Sequence, residues 1–107
     1  MSEEKDTKES EEQQSYIIIP STAFKKDKKK ITTQATKVAK LVSTLALLEE
    51  GGVEKIPQKM KPHILIGQYK GCWECHIEPD FLLIWKQNDE KRIIVLDRLG
   101  SHSELFK

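Results

Sequence analysis

The chain has 107 residues, 33% of them charged, and a formal net charge of +1 at pH 7. A chain of this length forms one domain with an independent core. Because no apolar run approaches the roughly 20 residues that a membrane-spanning helix needs, the composition excludes a helical membrane protein.

The net charge conceals an acidic N-terminus. Residues 1–14 contain six acidic residues against two lysines, a net charge of −4, which leaves +5 for residues 15–107. The segment has almost no apolar side chains, so it predicts a disordered leader, and it lacks the apolar core of a signal peptide. We therefore expect a leader over 1–14, a folded domain over 15–107, a cytoplasmic location and reduced cysteines.

One strand and two helices are predicted next. The β-branched run SYIIIP, residues 15–20, favours a short buried strand, and Ser21 or Thr22 can cap a first helix. The first helix region contains five lysines within six residues, which is typical of a solvated face and compatible with nucleic-acid binding. A longer second helix ends at Gly51 and Gly52. Its apolar residues recur at helical spacing: Val38, Leu41, Val42, Leu45 and Leu48.

The rest of the chain predicts a loop and three strands. Residues 53–71 contain two prolines and two glycines and form a long loop around His63. Strands follow at about 72–78, 81–86 and 92–98. The element order β-α-α-β-β-β predicts an α+β fold, in which a two-helix hairpin packs on a twisted, mostly antiparallel four-stranded sheet.

A C-x-x-C-H spacing runs from Cys72 to His76 and is typical of c-type haem attachment or of half a zinc site. Side chains alternate along a strand, so Cys72 and Cys75 should point to opposite faces and cannot easily hold one metal. A haem c protein would also have to be exported. We therefore predict no haem, no metal and no other cofactor, with Cys75 as a small buried side chain.

The turn after this strand predicts which side chains share a face. If the two ends of the EPDF turn pair with each other, His76 lies opposite Leu83 and Glu74 lies opposite Trp85. His76 then lies outside the core, on a face with aromatic side chains. The core face is predicted to carry Cys75, Ile77, Leu82 and Ile84.

The second half of the chain is rich in side chains suited to RNA cleavage: His63, His76, Asp80, Phe81, Arg98, His102 and Phe106. Cleavage proceeds when the 2′-hydroxyl of a ribose attacks the adjacent phosphorus, and histidine can act as base or acid near neutral pH. Arginine binds the negative charge that develops on the phosphate. Aromatic rings stack on unpaired bases. This set requires no metal.

Three motifs resemble, in order and spacing, the YafQ branch of the RelE superfamily of type II toxin–antitoxin systems. They are H-x-x-x-G from His63, H-x-E-P-D-aromatic from His76 and R-x-G-S-H-x-x-L-F from Arg98. The resemblance covers about residues 16–106. It implies a RelE-like fold and a ribosome-dependent mRNA endonuclease that cleaves translated mRNA in the ribosomal A site. The implied partners are a cognate antitoxin that holds the enzyme inactive, the ribosome and, only through the antitoxin complex, operator DNA.

The resemblance also implies a set of active-site residues. Carried over position by position, they are His63, His76, Asp80, Arg98, His102 and Phe106. Phe81 stands where YafQ has tryptophan and would keep a ring that stacks on the substrate, and Phe106 is expected to stack on a base.

Roles for these residues follow from their places in the chain. We expect His102 to be the general acid, because a Gly-Ser turn brings it to the phosphate that Arg98 binds. Asp80 is expected to be the base or to orient it. His63 and His76 are expected to position the 2′-hydroxyl, and either could substitute as base.

Two other interpretations remain open. A non-catalytic nucleic-acid-binding module, zinc-stabilised through Cys72, Cys75 and a histidine, fits the cysteine spacing. A degenerate toxin that binds its antitoxin and only regulates transcription fits the overall pattern. The complete set of three histidines with Asp80 and Arg98 favours the endonuclease.

Overall fold

A mixed five-stranded sheet with two long helices on one face forms the fold of residues 15–107, which are the residues that the computed structural model describes. The predicted leader over residues 1–14 lies outside them. The elements are β1 (Ile17–Pro20), α1 (Thr22–Lys29), α2 (Ala35–Gly51), β2 (His63–Ile64), β3 (Trp73–Glu78), β4 (Phe81–Asn88), β5 (Ile93–Gly100) and α3 (His102–Leu105). The strand order is β1-β5-β4-β3-β2; β1 is parallel to β5 and the other neighbours are antiparallel.

The predicted α+β fold is confirmed, with one more strand than expected. His63 and Ile64 pair with Glu74 and Trp73 and so add a two-residue edge strand to the predicted four. Nothing in the sequence marks this pair as a strand, because two residues are too short for a periodic pattern. None of the helices within residues 15–107 is long and apolar enough to cross a membrane.

Local sequence explains both long helices. The Ser21 side chain caps α1 by accepting a hydrogen bond from the backbone N–H of Phe24 at 3.0 Å. Gly52 ends α2 at a φ of +72°, a left-handed conformation that side chains disfavour. A Cβ at this position would lie 2.6 Å from Nε2 of Gln87, so a larger residue would also have to displace the Gln87 side chain.

The first strand is an edge strand, and the expectation that it is buried was wrong. Ile17 is 63% exposed and Ile19 is 43% exposed, because they lie on the face of the sheet away from the helices, whereas Ile18 between them packs against the core. Tyr16, which precedes the strand, is buried instead. A β-branched run therefore predicted the strand but not its place in the sheet.

A bulge in β3 sets the sheet register. Glu78 pairs with Phe81 as predicted, but the register shifts between His76 and Glu78. His76 therefore lies opposite Leu82, not Leu83. Glu74 likewise lies opposite Ile84, not Trp85. The extra residue in the bulged strand moves every pairing before it by one position.

The shift also changes which strand residues face the helices. Cys75 and Ile77 pack in the core beneath the helices as predicted, but their partners from β4 are Phe81, Leu83 and Trp85. Leu82 and Ile84, predicted for that core, lie in a smaller cluster with Cys72 and Leu105 on the opposite face. We call this opposite side of the sheet the open face.

The cysteines lie in separate clusters, one on each side of the sheet, as predicted from strand alternation. Both thiols are free and buried. Burial raises the pKa of Cys75 to about 12, with the nearby Glu74 carboxylate as a second cause. These two thiols therefore do not form a shared metal site.

Candidate active site

The predicted site residues form two groups on either side of the β3–β4 turn. His63 and His76 lie together, with their ring centroids 6.3 Å apart. On the other side, Asp80 contacts the backbone of His102, and the His102 ring stacks on Phe106 with a centroid distance of 4.8 Å. The turn joins the groups, because the Pro79 carbonyl lies 3.3 Å from Nδ1 of His76 and Asp80 is the next residue.

A buried carboxylate lies between the two histidines. Oε1 of Glu74 is 3.2 Å from Nε2 of His63 and 3.6 Å from Nε2 of His76. Glu74 is only 4% exposed, and its Oε2 has no hydrogen-bond partner among residues 15–107. A carboxylate in this position can fix the orientation of both rings and stabilise a proton that either ring receives.

The other ring nitrogen of His63 is also engaged. Its Nδ1 lies 2.7 Å from the Lys61 carbonyl oxygen, which can only accept, so Nδ1 carries a proton. Nε2 of the same ring lies 3.2 Å from Oε1 of Glu74, so the Lys61 carbonyl and the Glu74 carboxylate contact opposite sides of the imidazole and fix its orientation.

Asp80 is held by the start of α3. Its Oδ1 accepts a hydrogen bond of 2.8 Å from the backbone N–H of His102. The same helix begins with a capping box between Ser101 and Glu104, in which each side chain bonds the other residue's backbone. These bonds fix the backbone of His102 while its exposed imidazole stacks on Phe106.

Arg98 is paired within the protein, which the sequence did not predict. Its Nε and Nη2 donate to the two carboxylate oxygens of Asp27 at 2.7 and 3.2 Å, and its Nη1 donates to the Tyr69 hydroxyl at 3.2 Å. The hydrogen bond to Asp27 raises the pKa of Arg98. One N–H on each terminal nitrogen has no partner among the described residues, so two donors remain for a phosphate.

Tyr69 links Arg98 to the aromatic pair of α3. Its hydroxyl donates to the Leu105 carbonyl at 2.9 Å, and its ring meets Phe106 edge-to-face at 5.5 Å. Tyr69 has a φ of +64°, which is unusual for a residue other than glycine and is found mostly where surrounding contacts fix the backbone. The loop before β3 therefore holds Arg98 and Phe106 in place.

The structure does not support a stacking role for Phe81. Its ring is only 2% exposed and packs in the core beneath the helices, with Nζ of Lys37 4.7 Å from its centroid. Its neighbour Asp80 is exposed because it lies in the turn between β3 and β4, before Phe81 begins β4. Phe106, which is partly exposed, is the ring available to a nucleotide.

Three residues that contact the predicted site residues were not predicted from the sequence: Glu74, Asp27 and Tyr69. Glu74 precedes His76 by two residues in one strand, so alternation places both side chains on one face and could have identified it. Asp27 and Tyr69 give no comparable signal, because their contacts with Arg98 cross 71 and 29 residues of sequence.

A cavity of about 270 Å³ opens beside the histidine group. It is lined by His76 and by two lysines, Lys59 and Lys61, together with Glu78 and Pro79. The lysines supply positive charge next to an imidazole, a combination that suits a phosphate. Within residues 15–107 no group of three or more His, Cys, Asp or Glu side chains is arranged to hold a metal ion.

Residues 16–107 match the model of a family described as the bacterial toxin of type II toxin–antitoxin systems, YafQ. The chain is similar to the mRNA interferase toxin YafQ of Escherichia coli BL21-DE3, at 33% identity over 86 residues, which cover 80% of this chain and 90% of that toxin. Its alignment with the mRNA interferase toxin YafQ of Escherichia coli K12 is 39% identical over 51 residues and covers only about half of that toxin, 53% of its length.

Solved structures show the same fold. A chain of the Escherichia coli DinJ–YafQ toxin–antitoxin complex matches with a TM-score of 0.75 and 31% identity, covering 87% of this chain and 99% of that chain. A metal-bound toxin from Helicobacter pylori matches with a TM-score of 0.72 and 35% identity, covering 85% of this chain and 99% of that chain.

Proposed function

Because the chain belongs to the YafQ family of bacterial toxins of type II toxin–antitoxin systems, we propose that it is an mRNA interferase, an endoribonuclease that cleaves translated mRNA. One observation carries the proposal. A histidine pair around a buried carboxylate and an exposed histidine stacked on a ring lie on two sides of one rigid turn. This arrangement supplies separate groups for taking and giving protons.

In the proposed reaction, the 2′-oxygen of a ribose forms a bond to the adjacent phosphorus, and the bond from phosphorus to the 5′-oxygen breaks. The products are a 2′,3′-cyclic phosphate and a free 5′-hydroxyl. One group takes the proton of the 2′-hydroxyl, and another gives a proton to the leaving oxygen. The His63–Glu74–His76 group takes the first proton, and His102 gives the second.

Asp80 also has a role in the proposed reaction. Its Oδ1 is occupied by the backbone N–H of His102, but its second carboxylate oxygen is engaged by no other side chain or backbone group among the described residues. Asp80 therefore positions His102, and its second oxygen could also act as the base. Cleavage by Asp80→Asn and Asp80→Ala distinguishes the two roles, because only asparagine keeps an oxygen that can accept from the N–H of His102.

Arg98 stabilises the negative charge that develops on the phosphate during cleavage. Two of its N–H groups point away from its internal partners, and its pairing with Asp27 fixes the guanidinium plane before substrate arrives. A donor that is already oriented stabilises developing charge without reorganising during the reaction. The lysines beside His76 add positive charge where the chain of the RNA would pass.

We propose that cleavage depends on the ribosome, which would place the enzyme in the cytoplasm. The formal charge of residues 15–107 is only +5, so electrostatic binding to free RNA is weak, since affinity grows with each phosphate contact. The ribosome would instead present the mRNA in position.

Primer extension on two mRNAs, one with and one without a functional start codon, tests the proposal. We expect cuts only in the translated mRNA, and no cuts with a His102→Ala protein. Equal cutting of both mRNAs would reject dependence on the ribosome. No cutting of either mRNA would reject the endonuclease itself.

The partner that holds the toxin inactive is proposed to be an antitoxin with an acidic segment. The Escherichia coli relative is in a complex with the antitoxin DinJ. In this chain five lysines lie in and just after α1, and charge complementarity would guide an acidic segment to them or to the C-terminal residues. Coexpression should relieve the growth arrest caused by the toxin alone.

A further inference from the structure

A basic groove crosses the open face of the sheet away from the residues described above. It has a volume of about 570 Å³ and is open to solvent along its length. The side chains that define it are Lys70, Lys86, Asn88, Lys91, Ile93 and Val95. We call it the lysine groove.

Strand geometry places the groove on the open face. Along β4, Leu82 and Ile84 lie in the open-face cluster, and by alternation Lys86 and Asn88 continue on the same side. The strand register sets Lys86 opposite Val95 and Asn88 opposite Ile93. The two apolar residues are half-buried and form the floor, while the lysines rise around it.

The groove carries positive charge with little compensation. None of the described residues that line it is acidic. Among the ion pairs of residues 15–107, only the contact between Lys86 and Asp97 involves a groove lysine. Its atoms are 4.0 Å apart and the Lys86 side chain is 63% exposed, so this pair neutralises little of the charge. Three cations around an apolar floor suit a polyanion that alternates phosphates with flat sugars and bases.

The groove shares no lining residue with the candidate active site but lies next to it in the chain and in the sheet. Lys70 directly follows Tyr69, whose hydroxyl bonds Arg98 and whose ring packs on Phe106. On β4, Ile84 lies opposite both Glu74 and Arg98, and Lys86 is two residues further along, a distance of about 7 Å. A strand that leaves the site along the open face therefore reaches the groove within a few nucleotides.

We propose that the lysine groove binds the phosphate backbone of the single-stranded RNA that flanks the cleaved bond. The proposal rests on the proposed function, because it takes RNA as the substrate. An acidic protein segment is a less suitable occupant, since Lys86 is only two residues along β4 from Ile84, which pairs with Glu74 and Arg98 of the site where RNA must enter. The groove would fix the path of the strand and would make no contact with the reacting atoms.

Salt-dependent binding tests the proposal without requiring cleavage. The probe is a fluorescent single-stranded RNA with a 2′-deoxyribose at the cleaved position, and its affinity is measured by anisotropy at several salt concentrations. The triple variant Lys70→Gln, Lys86→Gln, Lys91→Gln removes three lysines of the groove. The matched control, Lys25→Gln, Lys26→Gln, Lys29→Gln, removes the same charge from exposed positions on α1.

Each phosphate contact to a single strand contributes about 0.7 to the slope of log affinity against log salt. We expect the groove variant to lower the magnitude of that slope by about 2 and the α1 variant to lower it by clearly less. On programmed ribosomes the unmodified protein should cleave a long mRNA faster than an mRNA truncated beside the cleaved bond. The groove variant should cleave the two mRNAs at the same rate. Its maximal rate on the truncated mRNA should not change.

Each outcome bears on one proposal. Equal slopes for the two variants, with cleavage by the unmodified protein, would reject the groove and leave the endonuclease intact. A reduced slope without cleavage by the unmodified protein would reject the endonuclease and keep the groove as an RNA-binding surface. Normal RNA binding with loss of antitoxin binding would assign the groove to the antitoxin and reject our proposal.

Discussion

Asp80 and His102 are joined by a hydrogen bond of 2.8 Å from the backbone N–H of His102 to Oδ1 of Asp80, across 22 residues of sequence. The bond ties the β3–β4 turn to the first residue of α3. A second bond system holds the same turn to α2, where Lys37 and Lys40 both pair with Glu78. The turn that separates the two groups of the site is therefore fixed from both sides.

The first prediction concerns the role of Asp80. Asparagine keeps an oxygen that can accept from the N–H of His102 but cannot act as a base, whereas alanine loses both functions. If Asp80 only positions His102, Asp80→Asn should retain most activity and Asp80→Ala should lose it by about 10²-fold. Single-turnover cleavage on programmed ribosomes measures both rates. Equal losses in the two variants would identify Asp80 as the base.

The second prediction concerns Glu74. Its buried carboxylate has an oxygen without a partner in the described part of the chain, which costs stability, and it faces both histidines. Glu74→Gln should leave the free energy of unfolding unchanged or raise it by about 1 kcal/mol, while cleavage falls by about 10²-fold. Glu90→Gln, on the exposed β4–β5 turn, is the control and should change neither. A parallel loss of stability and activity would mean that Glu74 acts only in folding.

The sequence predicted the elements well because the signals for them are local. Ser21 caps α1, and Gly52 ends α2 at a positive φ that favours glycine. The sequence did not predict correctly which side chains of β4 share the core face with those of β3. One bulged residue before Glu78 exchanged Leu82 and Ile84 for Leu83 and Trp85 in the core, and no sequence pattern marks a bulge without its partner strand.

The candidate site shows the same difference between local features, which the sequence predicts, and long-range contacts, which it does not. The resemblance predicted the histidines, Asp80, Arg98 and Phe106 as site residues by their spacing. His63 and His76 lie on one side of the β3–β4 turn and Asp80, His102 and Phe106 on the other, while Tyr69 links Arg98 to Phe106. Their partners were not predictable, because Asp27 meets Arg98 across 71 residues and Tyr69 meets it across 29. Phe81, which was predicted to stack on the substrate, is buried in the core. The face of the sheet on which a strand residue lies depends on the register of the strands.

The third prediction concerns Arg98 and Asp27. Arg98→Ala leaves the carboxylate of Asp27, which is 6% exposed, buried without its cation. We expect the free energy of unfolding to fall by about 3 kcal/mol or more. Asp27→Asn in the same protein should recover most of that loss. Chemical denaturation of the single and double variants measures the coupling.

In these variants the cleavage rate should not recover together with the free energy of unfolding. The double variant folds but lacks the guanidinium, so its cleavage should remain at least 10²-fold below that of the unmodified protein. Recovery of cleavage together with stability would show that Arg98 serves the fold and not the phosphate.

The fourth prediction concerns the cysteines and metal. The pKa of Cys75 is raised to about 12, so its thiol stays protonated in the folded protein at pH 8 and should resist alkylation until the chain unfolds. Because the folded pKa lies above the unfolded value, Cys75 contributes stability below about pH 9, and this contribution is lost as the pH rises towards 12. Cys75→Ser should cost about 1 kcal/mol at pH 7 and remove this alkaline loss.

Cleavage should survive both the removal of the thiols and the removal of metal. The double variant Cys72→Ser, Cys75→Ser should cut at nearly the normal rate, with or without EDTA. A toxin from Helicobacter pylori has been solved with metal bound, so the EDTA arm is an informative control. Activity lost in EDTA and restored by zinc would overturn the metal-free reaction.

The last prediction assigns the general acid. His102 is exposed at the start of α3, its ring is held by Phe106, and its backbone is held by Asp80. His102→Ala should slow cleavage by about 10²-fold or more, with little change in binding to ribosomes, because the proton moves only in the transition state. His102→Gln keeps the bulk of the side chain without a titratable ring and should be equally slow.

A substrate in which sulfur replaces the leaving 5′-oxygen isolates this step, since a thiolate leaves without needing a proton. Single-turnover cleavage of that substrate on programmed ribosomes should be nearly as fast with His102→Ala as with the unmodified protein. Glu74→Gln, which acts on the 2′-hydroxyl side, should remain slow with sulfur in place. If sulfur rescued both variants to the same degree, or neither of them, His102 would not be the acid.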